Sequence, residues 1–166
     1  MKAKDIMVSD VPTISRKASL KEAILLLKKN YGDKSFLNAA PGLVVVNDWG
    51  ELAGVLTPLT LITSLLEQAV TMDPVEFGND GIFDLLCEKI VDKTVEDVME
   101  REPLSVTEEA LALEIADLFV KHRYHRLPVV REKKVVGIIY RTPLLFSMTA
   151  CFFKNGNKSA SSTQKG

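Results

Sequence analysis

The sequence predicts a mixed α/β (α+β) fold built from two copies of one strand-helix-strand-strand-helix unit, and three observations carry that prediction. First, Asp5-Ile6-Met7 returns as Asp97-Val98-Met99, each followed by a proline, Pro12 or Pro103. Second, Leu20, Ala23, Ile24 and Leu27 map onto Ala112, Ile115, Ala116 and Phe119 at a constant offset of 92 positions. Third, each copy continues through an apolar strand and a polar turn into Gly54-Val55-Leu56 or Gly137-Ile138-Ile139. A duplicated unit of this length implies two half-domains packed face to face, with ligand sites in the groove between them.

The elements follow in order. Ser19-Leu20-Lys21-Glu22 reads as a capping box, in which the serine hydroxyl accepts a backbone N–H and Glu22 reaches back. Positions 20, 23, 24 and 27 then predict one buried helical face, with Lys21, Lys28 and Lys29 turned outward. Leu43 to Val46 is a short β-branched run, and Asn47-Asp48-Trp49-Gly50 is a hairpin-type turn leading into Leu52 to Leu56. Thr57-Pro58 suits the N-cap and first position of a second helix, carried on by Leu59, Ile62, Leu65 and Leu66. In the second unit Leu104 to Val106 is the lead strand, and Thr107 caps a helix from about Glu108 to His122. Leu127 to Val130 and Val135 to Tyr140 form the hairpin around a charged turn, Arg131 to Lys134. Thr142-Pro143 opens the last helix, through Leu144, Leu145, Phe146 and Met148.

These readings divide the chain into a first repeat (1–67), a connector with one short helix (68–92), a second repeat (93–150) and a polar, disordered tail (151–166). The connector helix falls on Ile82-Phe83-Asp84-Leu85-Leu86. The first unit also carries an extra loop, Tyr31 to Gly42, which the second lacks.

The bulk properties exclude several function classes. With 21 Lys and Arg against 22 Asp and Glu, no one-signed field argues for nucleic acid or an anionic membrane as the main partner. The longest apolar run, Leu144 to Phe153, falls well short of the roughly 20 residues needed to span a bilayer. Met1 to Asp5 lacks the apolar core of a signal peptide, so a cytoplasmic location is expected. Cys87 and Cys151 form no ligand-spaced cluster and read as free thiols in a reducing compartment. His122 and His125 lack a partner set at metal spacing, and no metal site is assigned. There is no G-x-S-x-G elbow and no P-loop, so an enzyme is not expected.

On these residues, and above all on His125-Arg126-Leu127-Pro128-Val129-Val130 with Gly137-Ile138-Ile139, the chain resembles a tandem pair of CBS (cystathionine-β-synthase) domains. The resemblance implies two βαββα repeats packed through their sheets as a pseudo-twofold module. It also implies assembly into a homodimer and a regulatory role. In that role AMP, ADP, ATP or S-adenosylmethionine is taken up in clefts between the repeats, with no obligatory cofactor. The length leaves no room for an attached effector domain, so a stand-alone module acting on an unidentified effector protein is expected.

The family's ribose-binding Asp falls, position by position, at Thr60 in Thr57-Pro58-Leu59-Thr60 and at Pro143 in Tyr140-Arg141-Thr142-Pro143. Neither is acidic; Thr60 retains a hydroxyl, without the strength of a charged acceptor. By the same resemblance, Thr13-Ile14 and Leu43-Val44 flank an adenine in the first unit, and Leu104-Ser105 and Leu127-Pro128 in the second. Taken singly, each of these also suits a plain core strand. His125-Arg126 matches a pair that contacts phosphate in a nucleotide-sensing member of the family, and Arg supplies a planar fork for phosphate oxygens. His122, Arg123 and Arg141 add positive charge nearby. Lys121 to Arg126 equally suits a solvated helix end, where cations meet the C-terminal dipole. Asp5 and Asp97 read as capping groups, and Met7 and Met99 as core filler. An exposed Trp49 would mark a partner surface. Two functions follow: a sensor of an adenine nucleotide or adenosyl ligand, or a dimeric interaction module that binds none.

Overall fold

The computed structural model describes residues 1–31, 41–73, 78 and 81–154. The first half runs α1 (Ala3–Ile6), β1 (Thr13–Ser15), α2 (Leu20–Asn30), β2 (Leu43–Val46), β3 (Leu52–Leu56) and α3 (Pro58–Ala69), with α4 (Ile82–Ile90) in the connector. The second runs α5 (Val95–Val98), β4 (Glu100–Arg101), β5 (Val106–Thr107), α6 (Ala112–His122), β6 (Arg126–Arg131), β7 (Lys134–Tyr140) and α7 (Arg141–Met148). The mixed α/β class read from the duplication is the one the chain adopts. One sheet has the order β1-β2-β3-β4 and the other β5-β6-β7. In both, the lead strand is parallel to the next and the following hairpin is antiparallel.

Local chemistry starts the helices. The Ser19 hydroxyl accepts the Glu22 N–H at 3.1 Å, while the Glu22 carboxylate accepts the Ser19 N–H at 2.9 Å. At the same place in the second repeat, Leu111 has no hydroxyl, and the Glu114 carboxylate alone satisfies the Leu111 N–H at 3.0 Å. This corrects two expectations. Thr107 does not cap the helix but ends β5, which is Val106–Thr107 rather than 104–106; its carbonyl accepts the Ala110 N–H in a turn. The helix begins at Ala112, one residue after the N-cap Leu111 to which the offset of 92 from Ser19 leads, and not at the nearest hydroxyl. The last helix likewise opens at Arg141 with Tyr140 as N-cap, because β7 runs on to Tyr140 and pairs it with Arg126.

Each Asp-x-Met segment folds against the opposite repeat. Ala3 and Ile6 are buried with Val106, Ile115, Phe119 and Leu127, whereas Val95 and Met99 are buried with Leu20, Leu43 and Leu56. The Ala3 N–H donates to the Ala110 carbonyl at 2.8 Å, and the Val95 N–H to the Ala18 carbonyl at 2.9 Å. Asp5 and Asp97 close these short helices by accepting the N–H groups of Lys2 and Thr94, each at 2.8 Å. Between the sheets lies a third cluster of Val44, Ile138 and Tyr140. Two main-chain bonds, Leu52 N–H to the Lys133 carbonyl and Val135 N–H to the Gly50 carbonyl, join the hairpins edge to edge. The halves are thus laced together in both directions.

Burial defines the helix faces and corrects one position on α2. On α2 the buried residues are Leu20, Ala23 and Leu27, and Ile24 is 43% exposed. On α3 they are Leu61, Ser64 and Ala69, leaving Leu59, Ile62 and Leu66 exposed at 73%, 52% and 62%. Helix α3 is apolar on both sides, so apolar spacing there matches either face. In the connector, Ile82 and Leu86 pack on Ala69, and Ile90 enters the first core. At the C-terminus, Ala150–Phe153 forms a 3-10 helix where disorder was expected. Residues 32–40 of the extra loop and 155–166 of the tail lie outside the described residues. Among those described, no helix is long and apolar enough to cross a membrane.

Candidate functional site

Three segments converge at the junction of the repeats. The first is the end of β3 and the start of α3, where Thr57 is the N-cap and Pro58 the first helical residue. The Thr57 hydroxyl accepts the Thr60 N–H at 3.3 Å. The Thr60 hydroxyl accepts the Thr57 N–H at 2.8 Å and donates to the Thr57 carbonyl at 2.7 Å. Thr60 is therefore already committed to the helix start. The second segment is β4, which pairs with β3 through Val55 and Glu100 and brings Pro103 and Leu104 alongside. The third is the link from α6 to β6. Helix α6 ends at Arg123 in the left-handed conformation (φ 58°), turning the chain back toward β6. The Arg141 guanidinium donates to the carbonyls of Arg123 and Tyr124 and holds this link in place.

Together the segments enclose a cavity of about 530 Å³, within the usual range for small-molecule sites. Of the predicted residues, Thr57, Thr60, Leu104, His125, Arg126 and Pro128 line it. Thr13, Ile14, Leu43, Val44, Ser105, Leu127, Tyr140 and Arg141 do not. Thr13 and Ile14 lie in β1, paired with Val44 and Val45. Leu43 and Leu127 are fully buried in the two repeat cores, and Val44 and Tyr140 between the sheets. Ser105 is half-buried ahead of β5. The cavity thus combines residues that the sequence placed in separate clefts. The physical reason is the β3–β4 pairing, which sets the end of one repeat beside the lead segment of the other.

Its walls are chemically divided. Val55, Pro58, Leu59, Pro103, Leu104 and Pro128 supply apolar surface suited to a flat ring. Arg123 and Arg126 supply positive charge, His122 and His125 add imidazole rings, and Glu100 is the one acidic residue among the described residues of the lining. Arg126 is buried, at 8% exposed, and its Nη2 donates to the Pro41 carbonyl at 2.9 Å. That burial lowers its pKa, and the Tyr140 phenol acts in the opposite sense. Burial, and then the charges of Arg141 and Arg126, hold His125 below its ordinary pKa. Tyr124 donates its O–H to Glu100 Oε1 at 3.0 Å; burial and that bond push the phenol above its usual range and keep it protonated. The His122 ring stacks on Tyr124 with centroids 5.7 Å apart and planes 15° off parallel.

Pro41, Val55, Glu100, Pro103 and Tyr124 were missed in the sequence. For Glu100, Pro103 and Tyr124 the available signal was their nearness in sequence to Asp97-Val98-Met99 and His125-Arg126; Pro41 and Val55 lie far from both motifs and reach the cavity only through the fold. Arg141, expected as a cation near the ligand, is outside the lining and donates to the backbone carbonyls of Arg123 and Tyr124. Among the described residues no group of three or more His, Cys, Asp or Glu is placed to hold a metal ion.

Known proteins share this architecture. A curated relative, an uncharacterized protein of Methanocaldococcus jannaschii, is 27% identical over 143 residues, covering 86% of this chain and 41% of the relative. The chain therefore spans less than half the length of that protein. Among solved structures, the CBS-pair protein CBSX2 from Arabidopsis thaliana superposes with a TM-score of 0.69 at 23% identity, covering 92% of this chain and 96% of its own. CBSX2 in complex with AMP gives a TM-score of 0.67 at 22% identity, covering 91% and 98%. The CBS domain pair of protein MJ0100, in complex with 5′-methylthioadenosine and S-adenosyl-L-methionine, gives 0.65 at 21% identity, covering 91% and 98%. The family model for the CBS domain matches residues 3–67 and again 95–142, more than half of the sequence, and the chain belongs to the CBS domain family as a tandem pair.

Proposed function

We propose that this chain is a regulatory, non-catalytic module that takes an adenine nucleotide or adenosyl ligand into the cavity between its repeats. The observation that carries the reading is the cavity itself, where an apolar slot, a cationic loop and a carboxylate meet across two repeats. The fold neighbours support it, since CBSX2 holds AMP and the MJ0100 pair holds 5′-methylthioadenosine and S-adenosyl-L-methionine. Because both repeats contribute walls, a ligand that binds one arrangement of the halves more tightly shifts the population toward it. AMP, ADP, ATP or S-adenosylmethionine is then an exchangeable signal, read by an effector protein as a change in repeat angle or dimer packing. The exposed free thiols of Cys87 and Cys151 fit a reducing, cytoplasmic setting.

Equilibrium dialysis against AMP and S-adenosylmethionine tests the assignment of the cationic wall. Arg126→Ala should weaken AMP about tenfold or more while leaving S-adenosylmethionine nearly unchanged, because one charge-assisted bond is lost. Equal weakening of both ligands would refute the phosphate role of Arg126.

A second reading, a homodimeric interaction module that binds no nucleotide, is favoured by two observations. The Thr60 hydroxyl is spent on capping, and Leu59, Ile62 and Leu66 present an exposed apolar stripe on α3. Size-exclusion chromatography at several concentrations should show a dimer, and Ile62→Glu should shift it to monomer. A strict wild-type monomer contradicts this reading.

A further inference from the structure

We propose that Glu100, held by Tyr124, accepts the vicinal hydroxyls of a ribose, making the cavity selective for ribonucleotides over their dideoxy analogues. The inference deepens the nucleotide reading of the cavity and rests on it.

A ribose presents two adjacent O–H donors. Withdrawn from water they need acceptors, and a charged acceptor contributes roughly twice as much as a neutral one. The lining offers few. The Thr60 hydroxyl both accepts from and donates to Thr57. The Thr57 hydroxyl already takes the Thr60 N–H. Arginine has no acceptor. Glu100 is the one carboxylate among the described residues of the lining, and it is anchored at both ends. Its backbone pairs with Val55 in the first sheet, and its Oε1 takes the Tyr124 O–H at 3.0 Å. Its Oε2 accepts no hydrogen bond from the described residues.

Tyr124 is itself restrained by its stack on His122 and by Arg141, which binds the Tyr124 carbonyl. The carboxylate is therefore oriented before any ligand arrives, which reduces the ordering cost of binding. It also comes from β4, whereas the cations come from the α6–β6 link of the other repeat. A ligand carrying a diol and an anion would be gripped by both halves at once.

Titration calorimetry of the full chain with AMP and with 2′,3′-dideoxy-AMP tests this in wild type, Glu100→Gln and Tyr124→Phe. Wild type should prefer AMP by about tenfold or more, the difference a charge-assisted hydrogen bond makes. Glu100→Gln should remove most of that preference by weakening AMP, while dideoxy-AMP stays unchanged or tightens as a negative charge is lost. Tyr124→Phe keeps the charge, frees the carboxylate, and should give a smaller loss with the same dependence on the diol. Equal weakening of both nucleotides by Glu100→Gln, or undiminished AMP binding, overturns the role of Glu100 and leaves the nucleotide reading standing. Wild type that binds neither nucleotide defeats both.

Discussion

Gly42→Ala should destabilise the protein by about 2 kcal/mol, and only while Arg126 is present. Gly42 is buried just ahead of β2, and a Cβ at that position would overlap the Arg126 guanidinium. Its φ is not in the left-handed region, so the alanine backbone itself is unstrained. The adjoining strand cannot yield, because Leu43 and Val44 are paired with β3 and Val44 also with β1. The guanidinium is the flexible partner and must move. Moving it breaks the 2.9 Å bond to the Pro41 carbonyl, a charge-assisted bond that contributes about 1.5–3 kcal/mol. For a chain of this size that is a fall of roughly 4–8 °C in Tm. The assay is reversible thermal or urea unfolding of wild type, Gly42→Ala, Arg126→Met and the double variant. Methionine fills the space with a slimmer, uncharged chain, so Gly42→Ala should then fall within about 0.5 kcal/mol of neutral. A coupling of about 2 kcal/mol is expected from the cycle. The same loss in both backgrounds would show that Arg126 is not the group displaced and place the effect in the backbone.

Glu109 accepts Lys2 at 2.5 Å and Lys4 at 2.6 Å, and these bonds lower its pKa to about 2. The sign is that of a depressed carboxylate: the pair contributes above the unfolded value of 4.5 and is lost as pH falls toward 2. All three groups are exposed, so NMR of the Glu109 carboxyl should show a depressed midpoint that Lys2→Ala raises and salt erodes; a midpoint indifferent to both contradicts the pairing. His125 should titrate below 6.5, so stability falls as pH drops through that range and the unfolded chain takes up the proton first. Bound AMP should raise the His125 midpoint, and an unmoved midpoint in the saturated complex would remove His125 from the anion's surroundings. Glu114→Ala should cost about 0.5–1 kcal/mol through the lost cap on Leu111, whereas Thr107→Ala should stay within about 0.5 kcal/mol. The reverse order would restore Thr107 as the cap.

The fold was largely legible in the sequence because a duplication reports the same local chemistry twice. Ser19 to Glu22 formed the capping box its spacing implies, and Leu43 to Leu56 formed the expected hairpin. Even the Thr107 error was recoverable, since the offset of 92 from Ser19 leads to Leu111. The orientation of α3 was less legible. With apolar residues at Leu59, Leu61, Ile62, Leu65 and Leu66, local periodicity supports two faces, and packing of Leu61 and Leu65 in the first core and of the helix against α4 chooses between them. The site was legible only in part, because it is assembled by tertiary pairing. Nothing local in Glu100 shows that β4 will join the first sheet, or that Tyr124 will reach its carboxylate. Likewise, the spacing of Thr57 and Thr60 fits a ligand contact or a helix cap, and the hydrogen bonds show the cap.

The central claim is that the cavity between the repeats takes an adenine-bearing ligand, and thermal unfolding with AMP, ADP, ATP and S-adenosylmethionine tests it most directly. At about one hundred times its Kd, a ligand bound only to the folded state adds about 2.7 kcal/mol. In a chain of this size that raises Tm by roughly 5–10 °C. Such a rise is expected with at least one of the four, diminished by substitution of Arg126 or Glu100. No rise with any of them at millimolar concentration would contradict it.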